Sequence, residues 1–574
     1  MSLGRAGGKV RAADMARKQK VDVVVVGSGA GGAPVALELA RAGARVVVLE
    51  RGPWYAPRDF THDEVAICRR NFFVPYPYPQ QHPHTIRKRG RQRAHLTTEG
   101  WVGVCVGGGT VHMSGFTYRF HPEDFELASR SGGISGSTVV DWPISYEQLA
   151  PFYDRAEALI GVSGQAGTNP FEPPRRPYPL PPLPPNPTAR LVEQAASSLG
   201  MHAFPTARAI VSRPYGGRPP CNLCGFCGEY GCENGSKSSV LASLLPAAEA
   251  TGRVRIMPGC MVRRVRADDR DRVQGVEYID PDGKVRFLGA RVVVLAATAI
   301  ETARLLLLSK AGRFPDGLAN RTGLVGRNLT FSTFGKGTAI FERGRLVEKL
   351  GKAVERLPFL LRSVQDDYWN EKNGLALPKG GTYNFLLHHP NAINAGVRLA
   401  MDSKWALWGE KLKQRIHRYF HEELWVEFEV FGEFLPHPGC YVDLDPRVVD
   451  GFGLPVARIT MDHHPLADEL NRFCTRRGLD ILEAMRPAPL SVKPWTWAGT
   501  TYHLQHGTCR FGSNPEESVL DVNCQAHEVA NLYVTDGSFM PTSGAVPATP
   551  TILANSLRVA RHLAGRFRRG EIPR

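Results

Sequence analysis

The feature that most constrains the fold is the run Val-Asp-Val-Val-Val-Val-Gly-Ser-Gly-Ala-Gly-Gly at residues 21–32. An apolar segment typical of a buried strand stands directly before a glycine turn, and residues 33–42 have the composition of a helix. Gly27 allows the tight turn, Gly29 lets the backbone approach a pyrophosphate, and Gly32 lets the helix pack closely on the strand. The run therefore predicts a dinucleotide site at the helix N-terminus.

Two further segments extend this prediction. Arg-Val-Val-Val-Leu-Glu at residues 45–50 reads as a second strand that ends in an acid about 20 residues beyond the glycines, where a carboxylate hydrogen-bonds to a ribose hydroxyl. Glu50 therefore favours FAD or NAD over NADP. A strand at 291–297 followed by a helix at 299–309 repeats the pattern and predicts another strand of the same sheet.

Length and composition set the broad class. A chain of 574 residues is too long for one simple core and predicts two or more joined domains. Hydrophobic content of 43% and charged content of 22% are ordinary for a globular protein. The sequence contains no apolar run of about 18 residues, so we predict no membrane span. Residues 1–20 are basic without an apolar core, so we expect a disordered arm rather than a secretory signal. This favours a cytoplasmic location and leaves export with a signal-bearing partner subunit open.

The net charge is +16, with basic clusters at 87–93 and 561–569. Such a charge suits an acidic protein, an anionic membrane surface or nucleic acid. No nucleic-acid-binding motif is present, and the basic residues are widely spread. We therefore favour solvated basic faces and predict no nucleic-acid partner.

The middle of the chain changes character twice. Proline-rich stretches at 170–187 and 213–220 bracket a predicted helix at 188–199 and suggest a stiff excursion over the surface. Between 338 and 490 an aromatic helix at 405–420 precedes alternating strands that begin at Trp425. This stretch predicts a domain that covers the substrate.

Motifs along nearly the whole chain resemble those of glucose–methanol–choline (GMC) oxidoreductases. They are Gly-Gly-Gly-Thr-Val-His-Met-Ser-Gly at 107–115, Asp-Trp-Pro-Ile-Ser-Tyr-Glu-Gln-Leu at 141–149, Tyr-His-Leu-Gln-His-Gly-Thr-Cys-Arg-Phe-Gly at 502–512, Ser-Val-Leu-Asp at 518–521, Ala-Asn-Leu-Tyr-Val-Thr-Asp-Gly-Ser at 530–538 and Pro-Thr-Ser-Gly at 541–544, before a predicted helix at 551–563. A cysteine-rich loop at 221–232 makes the pattern most similar to the large subunits of gluconate and FAD-dependent sugar dehydrogenases.

The resemblance implies FAD rather than NAD, and an α/β fold, α+β overall, with a Rossmann-like FAD domain and an antiparallel-sheet substrate domain. It implies the following division: a basic arm at 1–20, the FAD domain at 21–140 and 221–337, a proline-rich substrate-domain excursion at 141–220, the substrate domain at 338–490, and a C-terminal part at 491–574 that completes the FAD domain and active site.

The same resemblance assigns cofactor contacts by motif match. Glu50 is expected at the adenosine ribose and Val262 near the adenine. Asp536 and Gly537 are expected on the flavin side, and His112 is a candidate close to the flavin. The pyrophosphate and flavin are expected to lie along Gly107, Gly108, Gly109 and Thr110.

Alcohol oxidation in this family needs a base for the hydroxyl proton while a hydride leaves for the flavin. The usual histidine position falls on Leu504, and the usual second group, His or Asn, falls on Pro547. Side chains alternate along a strand, so residues 504 and 506 share a side and His506 is the first candidate base. His503 is the second, if a bulge shifts the register.

Four cysteines occur within twelve residues: Cys221, Cys224, Cys227 and Cys232. Thiolates at these spacings predict an iron–sulfur cluster or a zinc ion, with disulfides or free thiols as the alternative. The other seven cysteines, Cys509 and Cys524 among them, are interpreted as buried small apolar residues.

The leading prediction is an FAD-dependent dehydrogenase of an alcohol, with a sugar or glycoside as the expected substrate class. Electrons would pass to a non-nicotinamide acceptor, such as an acceptor protein or small subunit. The alternatives are an oxidase that uses dioxygen and a flavin-binding protein without alcohol chemistry.

Overall fold

The computed structural model describes residues 21–69, 72–73, 81–88, 92–355, 360–388, 391–401, 405–486 and 492–572, and of 69, 360 and 492–501 only the backbone. The predicted arm at 1–20 lies outside the described residues. The strands are β1 Val21–Val26, β2 Val46–Leu49, β3 His84–Arg87, β4 His95–Thr97, β5 Ala203–Phe204, β6 Val254–Met257, β7 Met261–Ala267, β8 Val273–Ile279, β9 Val285–Leu295, β10 Arg327–Glu342, β11 Leu360–Val364, β12 Gly381–Leu387, β13 Glu423–Gly432, β14 Tyr441–Val449, β15 Pro455–Thr460, β16 Val492–Thr508 and β17 Leu532–Val534.

The helices are α1 Gly32–Arg41, α2 Pro122–Phe125, α3 Leu127–Ser131, α4 Tyr146–Ile160, α5 Ala189–Ser198, α6 Leu244–Glu249, α7 Ala299–Leu308, α8 Arg343–Leu350, α9 Ala392–Met401, α10 Gly409–His417, α11 Pro465–Ala484 and α12 Thr549–Arg568. Short helical turns lie at Pro57–Asp59, Val65–Arg69, Gly108–Val111, Lys352–Glu355, Arg418–Glu422 and Gly537–Phe539. None of the described helices is both long and apolar enough to cross a membrane.

The first sheet is built on parallel strands in the order β6-β2-β1-β9, with β17 beside β9. The first half of β9 pairs with β8 instead, and β8 with β7, in antiparallel fashion. The valines of β1 are buried because α1 and α12 pack over the sheet, which removes this apolar run from water. The strand-then-helix pattern at 291–309 thus forms β9 and α7 as predicted.

The second sheet is antiparallel and has the order β16-β10-β13-β12-β11-β5. Alternation along β13 places Val426, Phe428 and Val430 on a face that packs against α5 and α11. The other face carries Trp425, Glu427, Glu429 and Phe431. A third, smaller sheet has the order β14-β15-β3-β4. The parallel sheet and the separate antiparallel sheet confirm the predicted fold class.

One sequence prediction needs correction. The helix predicted at 405–420 begins only at Gly409, where α10 starts, and continues into the helical turn Arg418–Glu422. Trp408 has extended backbone and Gly409 has φ +61°, which is incompatible with a helix that begins before them. The predicted domain boundary at 337/338 falls inside β10, a continuous strand. β10 pairs with both β13 and β16. This limit and the other domain limits stay predictions.

Candidate cofactor and active site

One cleft opens at the carboxyl edge of the parallel strands. Residues from several distant segments meet there because the carboxyl ends of parallel strands lie at the same edge of a sheet. The lining segments are the turn at 26–31, residues 49–51, 102–103, 108–110, 260–263 and 296–298, then 503–506, 536–537 and 548–549. Apart from Gly107, His112 and Gly32, every predicted cofactor residue lines this cleft.

The glycine turn fits a phosphate-bearing group. Gly27 has φ +97°, and a Cβ there would lie 2.3 Å from the carbonyl oxygen of Ala296. A Cβ on Gly32 would lie 2.0 Å from the carbonyl oxygen of Gly27, so glycine is needed for the close turn into α1. Gly29 differs, because its nearest neighbour would be the carbonyl oxygen of Gly107 at 3.9 Å. A side chain at Gly29 would therefore enter the cleft itself.

Gly31 is a requirement that the sequence analysis missed. A Cβ at this position would lie 2.7 Å from the carbonyl oxygen of Thr535, which follows β17. The Thr535 hydroxyl donates to the Gly31 carbonyl at 2.9 Å. The sequence shows Gly31 only as one more glycine in the run. The need for glycine at this position comes from a contact with Thr535, 504 residues away.

Glu50 is buried at the end of β2 with both carboxylate oxygens in use. Oε2 accepts from the Ser28 amide at 3.1 Å and the Ser28 hydroxyl at 2.8 Å, and Oε1 accepts from the Gly52 amide at 2.9 Å. The Gly107 amide donates to the Ser28 hydroxyl at 2.9 Å. Each carboxylate oxygen has further lone pairs, so Glu50 keeps the capacity to accept from a ribose hydroxyl. This chain of bonds holds the glycine turn, β2 and the 107–110 segment together.

Gly107 and His112 lie behind the cleft rather than along it. Gly107, with φ +93°, begins the turn Gly108–Val111, of which Gly108, Gly109 and Thr110 reach the cleft. His112 is half-buried and stacks on Phe73 with ring centroids 4.9 Å apart. Burial lowers the pKa of His112 to about 3, and its Nε2 has no hydrogen-bond partner. His112 is therefore a neutral ring.

Two other parts of the cleft wall carry predicted cofactor residues. Val262 lies on β7 among lining residues 260–263. Asp536 follows β17, and its carboxylate accepts from the Ser538 amide at 2.9 Å and the Thr302 hydroxyl at 2.6 Å. Burial raises the pKa of Asp536. Asp536 thus fixes the turn at 537–539 against α7, and Gly537 lines the cleft beside it.

A charged cluster in the same cleft was missed because its members are far apart in sequence. Glu301 in the first turn of α7 accepts from Arg51 at 3.1 Å and Arg304 at 3.3 Å, and lies 2.9 Å from His84 Nε2. Burial alone would raise the pKa of the Glu301 carboxyl, but the guanidiniums of Arg304 and Arg51 hold it well below its usual value. Arg51 also lies 4.3 Å from the ring centre of Trp101. No local motif signals this cluster.

Both candidate catalytic histidines line the cleft, together with Leu504 and Gln505. Pro547 is not among the lining residues. His503 is exposed, and its Nδ1 lies 3.1 Å from the carbonyl oxygen of Trp101. His506 is buried, and its Nδ1 has no partner. Burial lowers the pKa of His506 to about 3.

The strand-alternation argument does not hold in this part of β16. Thr330 pairs with His506 and Ser332 with Thr501, so two residues of β10 span five of β16. Gly507 and Thr508 then adopt φ values of +74° and +76°. Such an irregularity breaks the period of two, and four consecutive residues reach the cleft as a result. The bulge considered for His503 is therefore present.

The four loop cysteines line one small cavity with His62, Phe226 and Lys237. All eleven cysteines lie in the described part of the chain and are free thiols. Burial raises the pKa of Cys221 to about 11 and also raises that of Cys224. Among the described residues, no three His, Cys, Asp or Glu side chains converge to hold a metal ion. The thiols as placed in the structure therefore do not fit a single zinc ion.

Lys237 joins this loop to the cofactor cleft. Its buried ammonium donates to the carbonyl oxygens of Cys227 and Tyr230, each at 2.6 Å, and of Val111 at 3.3 Å. Burial lowers the pKa of Lys237 to about 8, against the opposing influence of Cys227 and Cys232. Val111 ends the turn whose first residues line the cleft, so loop and cleft are directly connected.

Of the other seven cysteines, six are buried as predicted, and Cys68 is the exception. Its thiol lies 3.4 Å from Glu229 Oε2 and 3.8 Å from the Tyr230 hydroxyl, so it contacts the cysteine loop. Burial and the Glu229 carboxylate raise the pKa of Cys68 to about 11.

The cleft combines glycines where a side chain would enter it, a buried acid at the end of β2 and two histidines. This combination is typical of a dinucleotide-dependent oxidoreductase. Family comparison makes the class specific. The profile of GMC oxidoreductases matches residues 21–333 with its N-terminal part and residues 436–556 with its C-terminal part. The chain belongs to the GMC oxidoreductase family, and this membership supports FAD as the cofactor and oxidation of an alcohol group as the reaction.

Individual relatives align with nearly the full length of the chain. The chain is 33% identical over 562 residues to 2-methyl-1,2-propanediol dehydrogenase of Mycolicibacterium austroafricanum, with 96% of each chain covered. It is 28% identical to the fructose dehydrogenase large subunit of Gluconobacter japonicus, with 96% of this chain and 98% of the relative covered. Formate oxidase of Aspergillus oryzae shares the fold at a TM-score of 0.65 and 16% identity, with coverage of 97% and 99%.

Proposed function

We propose that the chain is a dehydrogenase that oxidises an alcohol group of a sugar or polyol, with His503 as the base, and passes the electrons to an acceptor other than nicotinamide or dioxygen. The observation that carries the proposal is the position of His503 in the cofactor cleft with one ring nitrogen already bound to a backbone carbonyl. Bound FAD supplies the hydride acceptor in this chemistry.

The contact with Trp101 supports a defined tautomer of His503. A carbonyl oxygen only accepts, so in the neutral ring Nδ1 carries the hydrogen and Nε2 keeps its lone pair. Nε2 is then free to take the hydroxyl proton while the hydrogen on the same carbon leaves as hydride. Because His503 is exposed in the cleft, a substrate hydroxyl can reach its ring.

His506 is less suited to that task. Its Nδ1 is shielded from solvent, and the pKa of about 3 means that the protonated ring is strongly disfavoured near neutral pH. A neutral, buried His506 is better suited to a hydrogen bond with a bound group. We therefore assign it a binding role and rank it second as the base.

The residues that line the cleft would hold FAD. Gly29 and the turn at 108–110 would face the pyrophosphate near the positive dipole end of α1. Glu50 would accept from the adenosine ribose, and Val262 would lie at the adenine. The placement of Asp536 and Gly537 beside residues 503–506 supports the flavin end there.

Substrate class and acceptor are inferred from relatives. Two full-length relatives are named as dehydrogenases of a diol and of a sugar, which supports a polyhydroxylated substrate. One of them is a large subunit, which supports a partner subunit or protein as the electron acceptor.

The test is a panel of diols, sugars and simple alcohols added to the purified holoprotein. Anaerobic bleaching of the flavin band identifies substrates, and turnover is then measured with a dye acceptor in the presence and absence of oxygen. We expect bleaching by polyols or sugars and dye reduction that does not depend on oxygen. Stoichiometric peroxide at the rate of dye reduction would instead identify an oxidase, and an inert band a flavin-binding protein.

We further propose that the cysteine loop holds an iron–sulfur cluster that relays single electrons. The support is that all four thiols line one cavity and that Lys237 places a buried positive charge beside them. Lys237 would offset the negative charge of four thiolates and hold the loop against the 108–111 turn.

We expect anaerobically prepared protein to contain iron and acid-labile sulfide in addition to FAD. Cys227→Ser should lose the iron and slow dye reduction, while flavin bleaching by substrate persists. Cys474→Ser, at a buried thiol outside the loop, is the matched control and should keep the iron. Background iron in reconstituted protein would leave the loop without a metal role and the dehydrogenase proposal intact.

A further inference from the structure

An exposed apolar surface lies on α9 and the segment after it. Its residues are 46% to 83% exposed, although all are large and apolar. They are Ile393, Val397, Met401, Trp405 and Trp408. The first four are spaced by four residues, and within α9 this spacing places side chains on one face. We refer to this set as the α9 surface.

The exposure is not caused by a loose helix. The opposite face of α9 buries Ala395 and Leu399 against Tyr419 and Trp425. The N-terminus is held by Glu64, whose carboxylate accepts from the amides of Ile393 at 2.7 Å and Asn394 at 2.5 Å. An anchored helix with apolar residues on both faces has one face in the protein core and presents the other to a partner.

The surroundings of the α9 surface are basic. Residues 392–418 contain six Lys and Arg against two Asp and Glu. On α10, which packs beside α9, Lys411 and Lys413 are exposed. Apolar side chains with tryptophans, flanked by lysines, are the pattern of helices that lie in the headgroup region of a bilayer, and the net charge of +16 complements anionic lipid.

We infer that the α9 surface docks the protein onto an anionic lipid bilayer. Docking would bring the cysteine loop near the membrane, because Asn391, directly before α9, accepts from the hydroxyl of Tyr230 in that loop at 2.8 Å and contacts the Cys68 thiol at 3.6 Å. The inference rests on exposure and charge and does not depend on the proposed alcohol chemistry.

The test uses the purified holoprotein and vesicles of phosphatidylcholine, with and without phosphatidylglycerol. We expect co-sedimentation with the anionic vesicles that high salt weakens and does not abolish, because apolar insertion is insensitive to screening. Tryptophan emission should be quenched by brominated lipid. The double variant Met401→Ser/Trp408→Ser, which keeps the charge, should bind about tenfold more weakly or worse.

The matched control is Val285→Ser/Phe287→Ser on β9, where two exposed apolar residues lie far from α9 in sequence. This control should bind like the parent, and all three proteins should keep the same flavin content. Three results would overturn the inference: no binding of the parent to anionic vesicles at low salt, equal binding by the Met401/Trp408 variant, or vesicle-independent self-association that this variant loses.

Discussion

Replacing His503 with alanine is expected to lower the rate of flavin reduction by substrate by about 10² to 10⁴, with the flavin spectrum unchanged. The reason is that His503 Nε2 is the proposed base, and the Trp101 carbonyl would hold the ring in the required tautomer. Stopped-flow reduction measures the chemical step directly, without reoxidation by an acceptor. His503→Gln should be equally slow, because an amide keeps the bond to Trp101 but takes up no proton.

His506→Ala separates the two candidates. We expect this variant to bind substrate more weakly and to retain flavin reduction within about tenfold of the parent, since a neutral buried ring contributes hydrogen bonding rather than proton uptake. His202→Ala is the control, because His202 is an exposed histidine that pairs with Asp366 and does not line the cleft. If His506→Ala abolishes reduction while His503→Ala does not, the base is His506, as simple strand alternation predicts.

The features of the fold and site that could be predicted from the sequence are those determined by residues close together in the chain. Gly27, Gly32 and Glu50 were assigned from sequence because a tight turn, a close helix and a strand-end acid are each determined by neighbouring residues. The same holds for β1, α1, β9 and α7. A buried parallel sheet requires continuous apolar strands, and such runs can be recognised without knowing what pairs with them.

The features of the site that could not be predicted from the sequence depend on contacts between distant segments. The irregular pairing of β16 with β10 is set by tertiary packing, so the positions of His503 and His506 could not follow from alternation alone. Likewise, the link from Lys237 to Val111 and Cys227 joins loops that share no motif.

Replacing Gly29 with valine is expected to abolish FAD retention in a protein that still folds. A Cβ at Gly29 meets no protein atom closer than 3.9 Å, so the added methyl groups would occupy the cleft where the pyrophosphate approaches the backbone, not the protein core. The measurement is the ratio of flavin absorbance to protein absorbance after purification, with circular dichroism to verify folding. We expect a near-complete loss of the flavin band.

Two control variants make the result specific. Gly312→Val adds the same side chain where no atom lies within 4 Å and should keep its FAD, because that site is outside the cleft. Gly31→Val would place its Cβ 2.7 Å from the Thr535 carbonyl and should impair folding itself, since this contact joins the turn to the end of β17. Loss of flavin with an intact fold at Gly29 alone therefore reports on the cofactor. Full flavin content in soluble Gly29→Val protein would place the pyrophosphate elsewhere in the cleft and remove the basis for the assignments of Glu50 and Val262.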